Sequence, residues 1–163
     1  MRKFWLLMIA CCVIAVNSHA VANPLEARKF DGFGDICCED EEARLDGFAM
    51  ELQSNPGASG YIIFYGGRRH NYPYCDSHRL LLPRRGEAEA RASRMKPYLV
   101  DRRGINPDRI VMINGGYREL WEAELWIAPK GANPPTPTPT VRPEEIRFRK
   151  GRIRKRRYMC DEE

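Results

Sequence analysis

The sequence has few of the residues and motifs on which catalytic and metal sites depend. It contains three histidines among 163 residues, and only His70 and His78 lie beyond residue 22. No Gly-x-Ser-x-Gly, zincin or phosphate-loop motif occurs, and we find no internal repeat. These absences argue against the common hydrolase and nucleotide-binding classes. We therefore expect a protein that is not an enzyme and that uses no cofactor.

Beyond its N-terminus the sequence also lacks an apolar run long enough to span a bilayer. The N-terminus itself has a positively charged start, an apolar stretch (Phe4–Val16) and small residues at Ala20 and Ala22. This pattern predicts a secretory signal peptide over residues 1–22, cleaved after Ala22 or alternatively after Ala20. We therefore expect an exported protein without a transmembrane segment in its mature chain.

A lipoprotein signal is the alternative interpretation of the same N-terminus. Lipid attachment at Cys11 or Cys12 would then fix the mature chain to a membrane. The segment Met8-Ile9-Ala10-Cys11 departs from a good lipidation box, and the apolar run continues past both cysteines.

Four cysteines remain after removal of the predicted signal peptide, namely Cys37, Cys38, Cys75 and Cys160. An even number of cysteines in an exported protein predicts disulfides. Cys37 and Cys38 are adjacent, so a bond between them would close a strained ring. We expect one of them to reach Cys75 and the other Cys160, with the choice between the two pairings open.

A zinc site is the competing use of these residues. His70, Cys75 and His78 have a permissive spacing, and Asp76 or another cysteine would have to supply a fourth ligand. Because the expected compartment is oxidising, disulfide formation by Cys75 is favoured and we predict no metal.

Apolar periodicity predicts alternating strands and helices, and hence an α+β domain with helices packed on a mixed sheet. Pro97 should end or kink the second helix, and the last strand should lie at the edge of the sheet. The predicted elements, in order, are a strand within Phe30–Cys38, a helix from Glu39 to Asn55-Pro56-Gly57, a buried strand Tyr61–Tyr65, an insertion loop over residues 68–85, a helix Gly86–Arg103, a strand Arg109–Ile113 closed by Gly115-Gly116-Tyr117, and a strand Glu122–Ala128.

Composition divides the rest of the chain. A folded domain is predicted over residues 23–132, and residues 133–143 have the alternating Pro and Thr of an extended spacer. Residues 144–163 form a basic segment, with eight basic residues and no acid between Ile146 and Arg157. Its alternation around Lys150-Gly151 is compatible with a small hairpin.

Taken in order, these motifs resemble the OmpA-like C-terminal domain, a periplasmic module that attaches envelope proteins to peptidoglycan. The resemblance covers residues 30–130 and implies a β-α-β-α-β-β sandwich in the periplasm or outer cell envelope of a bacterium. The matching segments are Ile62-Ile63-Phe64-Tyr65-Gly66, Arg91-Ala92, Tyr98-Leu99, Arg103-Gly104-Ile105, Arg109-Ile110, Gly115-Gly116-Tyr117-Arg118-Glu119 and Leu125-Trp126-Ile127.

The resemblance also implies a ligand site. In the family an aspartate and the arginine of the Arg-Ala pair hold the diaminopimelate end of the stem peptide, by pairing charges with its ammonium and carboxylate. Arg91 falls on the arginine position, whereas Arg69 falls on the aspartate position. Asp76 is a substitute acid from the loop, and Arg68 with Arg69 is a candidate anion site after Gly66-Gly67.

Two functional hypotheses follow. The first is a non-enzymatic envelope module that binds peptidoglycan or another anionic envelope polymer through Arg91. The alternative is a structural or protein-interaction domain of the same fold that has lost peptidoglycan binding and contacts an envelope protein. Export makes nucleic acid an unexpected partner for the basic segment.

Overall fold

The computed structural model describes residues 25–70 and 80–153. Within them the chain forms an α+β fold in which helices pack on a mixed sheet of five strands, as the sequence predicted. The specific OmpA-like topology stays a prediction. The elements are β1 (Arg28–Phe33), α1 (Cys38–Ser54), β2 (Ser59–His70), β3 (Leu80–Leu81), α2 (Glu87–Ala92), β4 (Ile110–Leu120) and β5 (Glu122–Ala128).

The sheet is built around β2. Strand β4 runs parallel to β2 along one side, and β5 runs antiparallel to it along the other. Strand β1 pairs with the far side of β5, and β3 pairs with the end of β2. The predicted edge position of β5 is therefore wrong, because β5 lies between β1 and β2. Its alternating charged residues suggested a solvent-facing strand, but the structure buries Glu124 in a polar network described below.

Several element boundaries differ from those predicted. β1 ends at Phe33, and Cys38 begins α1 rather than ending a strand. β2 extends to His70, into the stretch predicted as a loop. β4 passes through the Gly115-Gly116 pair to Leu120 instead of ending there. The pairing register with β2 shifts at this point, and a Cβ on Gly115 would lie 2.4 Å from the Tyr65 ring. These glycines thus permit close packing rather than ending the strand.

The second predicted helix is broken into shorter turns. After α2 the chain forms a helical turn, Met95–Pro97, and a π-helical turn, Tyr98–Arg102. Gly104 then adopts a positive φ of 67°, which glycine tolerates best. The predicted apolar side of this region is nevertheless retained, since Ala92, Met95 and Leu99 are all buried.

One apolar core lies between the helices and the sheet. From α1, four residues at helical spacing contribute to it: Leu45, Phe48, Ala49 and Leu52. They pack with residues of the strands and of the broken helical region, including Ile62, Leu99, Ile110, Leu125 and Ile127. The core therefore confirms the predicted amphipathic character of α1.

The Pro/Thr-rich residues contact the sheet. The Thr138 backbone N–H donates to the Tyr65 hydroxyl over 3.1 Å, and Val141 forms an isolated bridge with Tyr117. Further along, the Arg149 N–H donates to the Pro83 carbonyl over 2.8 Å. The small hairpin that the alternation around Lys150-Gly151 would allow is not formed by residues 146–153, which contain no strand and follow a 3-10 turn at Pro143–Glu145. The domain boundaries stay predictions.

Candidate functional site

Three arginines with carboxylate partners are buried where the resemblance implies the ligand site. Glu87 and Arg91 lie four residues apart on α2, and Arg94 follows just beyond its end. The side chains form three ion pairs, all at most 6% exposed, which we call the ion-pair row: Arg69–Glu87, Arg91–Asp35 and Arg94–Glu41. The row joins the end of β2, α2, α1 and the loop between β1 and α1.

Arg91 is the central member of the row. Its side chain is 0% exposed, and its guanidinium donates to the Asp35 carboxylate. The guanidinium carbon also lies 4.6 Å from the centroid of the Trp121 ring, within cation–π range. Burial lowers the pKa of Arg91 below its usual value, and the charge of Asp35 opposes that shift. An internal carboxylate is thus already paired with the guanidinium that the resemblance assigns to the ligand.

Arg69 is held in the same way. Its Nε donates to the Glu87 carboxylate over 2.5 Å, and its Nη1 donates to the His70 carbonyl over 2.7 Å. The other oxygen of Glu87 accepts the Arg84 backbone N–H over 2.7 Å. Arg69 is therefore an interior cation beside a helix start, whereas its neighbour Arg68 is 48% exposed.

Arg94 completes the row. Its guanidinium forms a bidentate ion pair with the Glu41 carboxylate, in which Nε donates to Oε1 over 2.7 Å. Glu41 lies on the same stripe of α1 as Leu45 and Phe48. The helical spacing of Glu41 with these core residues was a usable signal in the sequence that this acid is buried. No comparable signal pointed to Asp35.

Among the described residues, the open volume beside Arg69 is small, and a larger hollow of about 310 Å³ lies along α2, lined by residues including Glu89, Ala90 and Ser93. A cavity of about 50 Å³ is lined by residues including Gly66, Arg69, Trp121 and Phe148. Pockets that take drug-sized ligands are several times larger, while a volume of this size suits one or two waters.

Other predicted site residues are placed only in part. Asp76, His78, Cys75 and Cys160 lie outside the described residues. Cys37 and Cys38 lie at the start of α1, and the disulfide that each of them forms stays a prediction. Among residues 25–70 and 80–153, no group of three or more His, Cys, Asp or Glu side chains could hold a metal ion.

A second polar cluster, which sequence reasoning missed, lies on the sheet face opposite the apolar core. Its centre is Glu124, which accepts hydrogen bonds from Lys29 (2.8 Å), Arg118 (3.1 Å), Trp126 (3.1 Å) and the Tyr65 hydroxyl (3.2 Å). Burial alone would raise the pKa of Glu124, but the hydrogen bonds from Lys29 and Trp126 and the charge of Arg118 outweigh it. The pKa of Glu124 therefore lies below its usual value.

Arg118 links this cluster to the Pro/Thr-rich residues. Its guanidinium carbon lies 3.7 Å from the centroid of the Tyr65 ring, and its Nη2 donates to the Thr138 hydroxyl over 2.7 Å. The carboxylate of Glu122 pairs with the same guanidinium. Every group in this description has a partner within the protein, so we interpret the cluster as a fixed polar support for one end of the sheet.

Comparison with known proteins leaves the family unassigned. No family model matches the chain, and no curated protein does. The OmpA-like resemblance therefore rests on the order and spacing of the motifs. In the part of the chain that the structure describes, no helix is both long and apolar enough to cross a membrane.

Proposed function

We propose that this protein is a non-enzymatic domain of the cell envelope, of OmpA-like fold, in which Arg91 stabilises the interior and does not bind peptidoglycan. This is the structural or protein-interaction hypothesis. The observation that carries it is the buried Arg91–Asp35 pair, which uses inside the protein the carboxylate contact that the family makes with its ligand.

The energetics of burial support this role. An arginine out of contact with water needs a carboxylate partner, and removal of either member of such a pair costs about 3–5 kcal/mol. A stem-peptide carboxylate would have to displace Asp35, whose side chain is 6% exposed. The displaced Asp35 would then need a new cation or a path to water.

Peptidoglycan binding through Arg91 is the second candidate, and one observation favours it. Asp35 lies beside Arg91, so both an aspartate and an arginine are present, although the aspartate comes from a different segment than in the family. A stem peptide carries both an ammonium and a carboxylate. It could therefore exchange partners with both members of the pair, at the cost of opening the site.

Co-sedimentation with purified peptidoglycan separates the two candidates. The test compares three forms of the chain from residue 23: wild type, Arg91→Lys and Arg102→Lys. Arg91→Lys keeps the positive charge but loses the planar guanidinium. Arg102→Lys is the matched change at an exposed arginine. Each is measured at low and high salt. We expect no salt-resistant sedimentation of any form and a lower melting temperature for Arg91→Lys alone.

One result would overturn the proposal in favour of the second candidate. It is salt-resistant binding by wild type and by Arg102→Lys that is lost in Arg91→Lys, at a temperature where circular dichroism shows all three forms folded. Binding that disappears in high salt for every form would indicate general charge attraction, without a role for Arg91.

A further inference from the structure

Two basic stretches that are far apart in the sequence meet on one surface. The segment Arg147–Arg152 packs against residues 83–86, where the Arg149 N–H donates to the Pro83 carbonyl over 2.8 Å. The guanidinium carbon of Arg85 lies 4.4 Å from the centroid of the Phe148 ring. Arg84 and Arg85 thereby join the basic segment in one positively charged area.

Among the described residues, the acids near this charge are Glu87, Glu89, Glu144 and Glu145, and Glu89 is exposed on α2. Glu87 is buried and already paired with Arg69. Glu144 and Glu145, which precede the basic segment, pair with Arg142. Five of the basic side chains therefore share an area whose described acids, apart from Glu89, are paired, and four of the five are exposed. These side chains are Arg84, Arg85, Arg147, Lys150 and Arg152, of which Arg84 alone is half-buried.

Large apolar side chains adjoin this charge. Leu80 is 40% and Leu82 is 42% exposed, and the chain continues directly from Leu82 through Pro83 to Arg84. Leu80 lies on β3, paired with His70 at the end of β2, so a strand pair holds it in place. Two large apolar side chains thus lie beside arginines on one surface, an arrangement that suits a partner with both an apolar and an anionic part.

We propose that this surface, formed by Leu80, Leu82, Arg84, Arg85 and the segment Arg147–Arg152, docks on an anionic lipid membrane. Lipid phosphates attract the cations, each basic residue near the surface strengthening binding by roughly fivefold. The leucines enter the boundary between headgroups and acyl chains, where apolar side chains are stabilised. A soluble polyanion would use the cations but leave the leucines in water. The proposal requires an accessible membrane and does not depend on the role of Arg91.

Vesicle flotation tests this proposal directly. The chain from residue 23 is mixed with vesicles of phosphatidylcholine alone or of phosphatidylcholine with phosphatidylglycerol. Three variants remove parts of the surface: Arg84→Gln/Arg85→Gln, Arg147→Gln/Lys150→Gln/Arg152→Gln, and Leu80→Ser/Leu82→Ser. Two controls make matched changes at exposed residues elsewhere, Arg102→Gln/Lys130→Gln and Met50→Ser. Thermal unfolding establishes that each protein is folded.

We expect flotation only with the vesicles that contain phosphatidylglycerol. Each arginine variant should weaken binding by at least roughly tenfold, the leucine variant by roughly tenfold, and the controls by less than about twofold. If Arg84→Gln/Arg85→Gln misfolds, Arg85→Gln alone takes its place, with about fivefold expected.

Three results would overturn the proposal. The first is no flotation of the wild type. The second is flotation that depends on the segment Arg147–Arg152 but not on Arg84, Arg85 or the leucines, because the joined surface would then have no role. The third is a combined result: soluble polyphosphate binds the protein and abolishes flotation, and Leu80→Ser/Leu82→Ser changes neither polyphosphate binding nor flotation. That result would identify a general polyanion site.

Discussion

At the scale of single residues, the surroundings of Arg91 decide what its guanidinium can do. Asp35 supplies a charged partner, and Trp121 covers one face of the group. A guanidinium used in this way holds three segments together and is poorly placed to recognise a ligand from solution. The same holds for Arg69 and Arg94, whose partners are also buried acids.

The network around Glu124 makes a pH-dependent contribution to stability. Because its pKa in the folded protein lies below the usual value of 4.5, the contribution is complete above pH 4.5 and is lost as the pH falls through the folded pKa. We therefore expect Glu124→Gln to be less stable than wild type at neutral pH, with a difference that shrinks in more acidic solution. Urea unfolding between about pH 7 and pH 3 measures it.

The outcome for Glu124 can be checked against a second acid. Glu119 is 79% exposed and lies 3.8 Å from Arg68, so Glu119→Gln should show no comparable pH-dependent difference. A difference between wild type and Glu124→Gln that stays constant from neutral to acidic pH would contradict this account of the network.

The residues of the ion-pair row could be predicted only in part. The helical position of Arg91 follows from motif order, but its partner does not. Asp35 comes from a loop 56 residues away, and sequence spacing does not encode which loop acid approaches which helix. The burial of Glu124 was missed for a related reason. Period-two alternation predicts which face of the sheet a side chain lies on, but not whether other residues cover that face.

At the scale of elements, the C-terminal end of α1 is capped by an arginine that is distant in the sequence. Arg109, just before β4, donates to the carbonyls of Leu52, Asn55 and Ala58 over 2.7, 2.8 and 2.8 Å. A cation at this end suits the helix dipole, and it adds charged hydrogen bonds to the Leu52 and Asn55 carbonyls, which also accept backbone N–H groups. Arg109 therefore couples the helix to the sheet.

Loss of this cap should be measurable. We expect Arg109→Gln to lower the free energy of unfolding by about 2 kcal/mol, because hydrogen bonds from a charged group are lost. Arg102→Gln, at an exposed position, should change the free energy of unfolding by less than about 0.5 kcal/mol. Equal effects of the two substitutions in urea unfolding would show that capping by Arg109 is unimportant.

The end of β2 depends on one glycine. A Cβ on Gly67 would lie 2.3 Å from the backbone carbon of Leu120, whereas a Cβ on Gly57 would lie 3.8 Å from the Cβ of Lys130. We expect Gly67→Ala to cost about 3 kcal/mol or more, since backbone must move, and Gly57→Ala to cost less than about 1 kcal/mol. A folded Gly67→Ala protein with the wild-type melting temperature would refute this.

Element order was predictable, and element ends were not. Apolar periodicity identifies α1 and the strands because each buries a face of regular spacing. β4 passes through Gly115-Gly116 because neighbouring strands crowd there, which a local rule treating glycine as a stop misses. The position of β5 within the sheet also escaped prediction, because strand order is set by long-range pairing.

At the scale of the whole molecule, the Pro/Thr-rich residues are bound to the domain. Thr138 contacts Tyr65 and Arg118, and Pro139 lies close above Gly116. We expect replacement of residues 134–140 by a Gly-Ser segment of equal length to lower the free energy of unfolding by about 2 kcal/mol. A freely moving linker would give no change.

Single substitutions refine this test. Thr138→Ala removes a hydroxyl that accepts from Arg118 and should cost about 1 kcal/mol. Thr136→Ala, an equal change at an exposed neighbour, should cost almost nothing. Equal melting temperatures for the two variants would mean that the contact of Thr138 does not hold the segment in place.

A double-mutant cycle between Arg91 and Asp35 tests the central claim most directly. Urea unfolding is measured for wild type, Arg91→Ala, Asp35→Ala and the double variant. If the pair supports the interior, each single substitution should lower the free energy of unfolding by about 3–5 kcal/mol, because it removes one member of a buried ion pair. The double variant should then be at least as stable as the less stable of the two single variants. Additive costs of less than about 1 kcal/mol each would contradict the account, and would return Arg91 to the role of a ligand-binding residue.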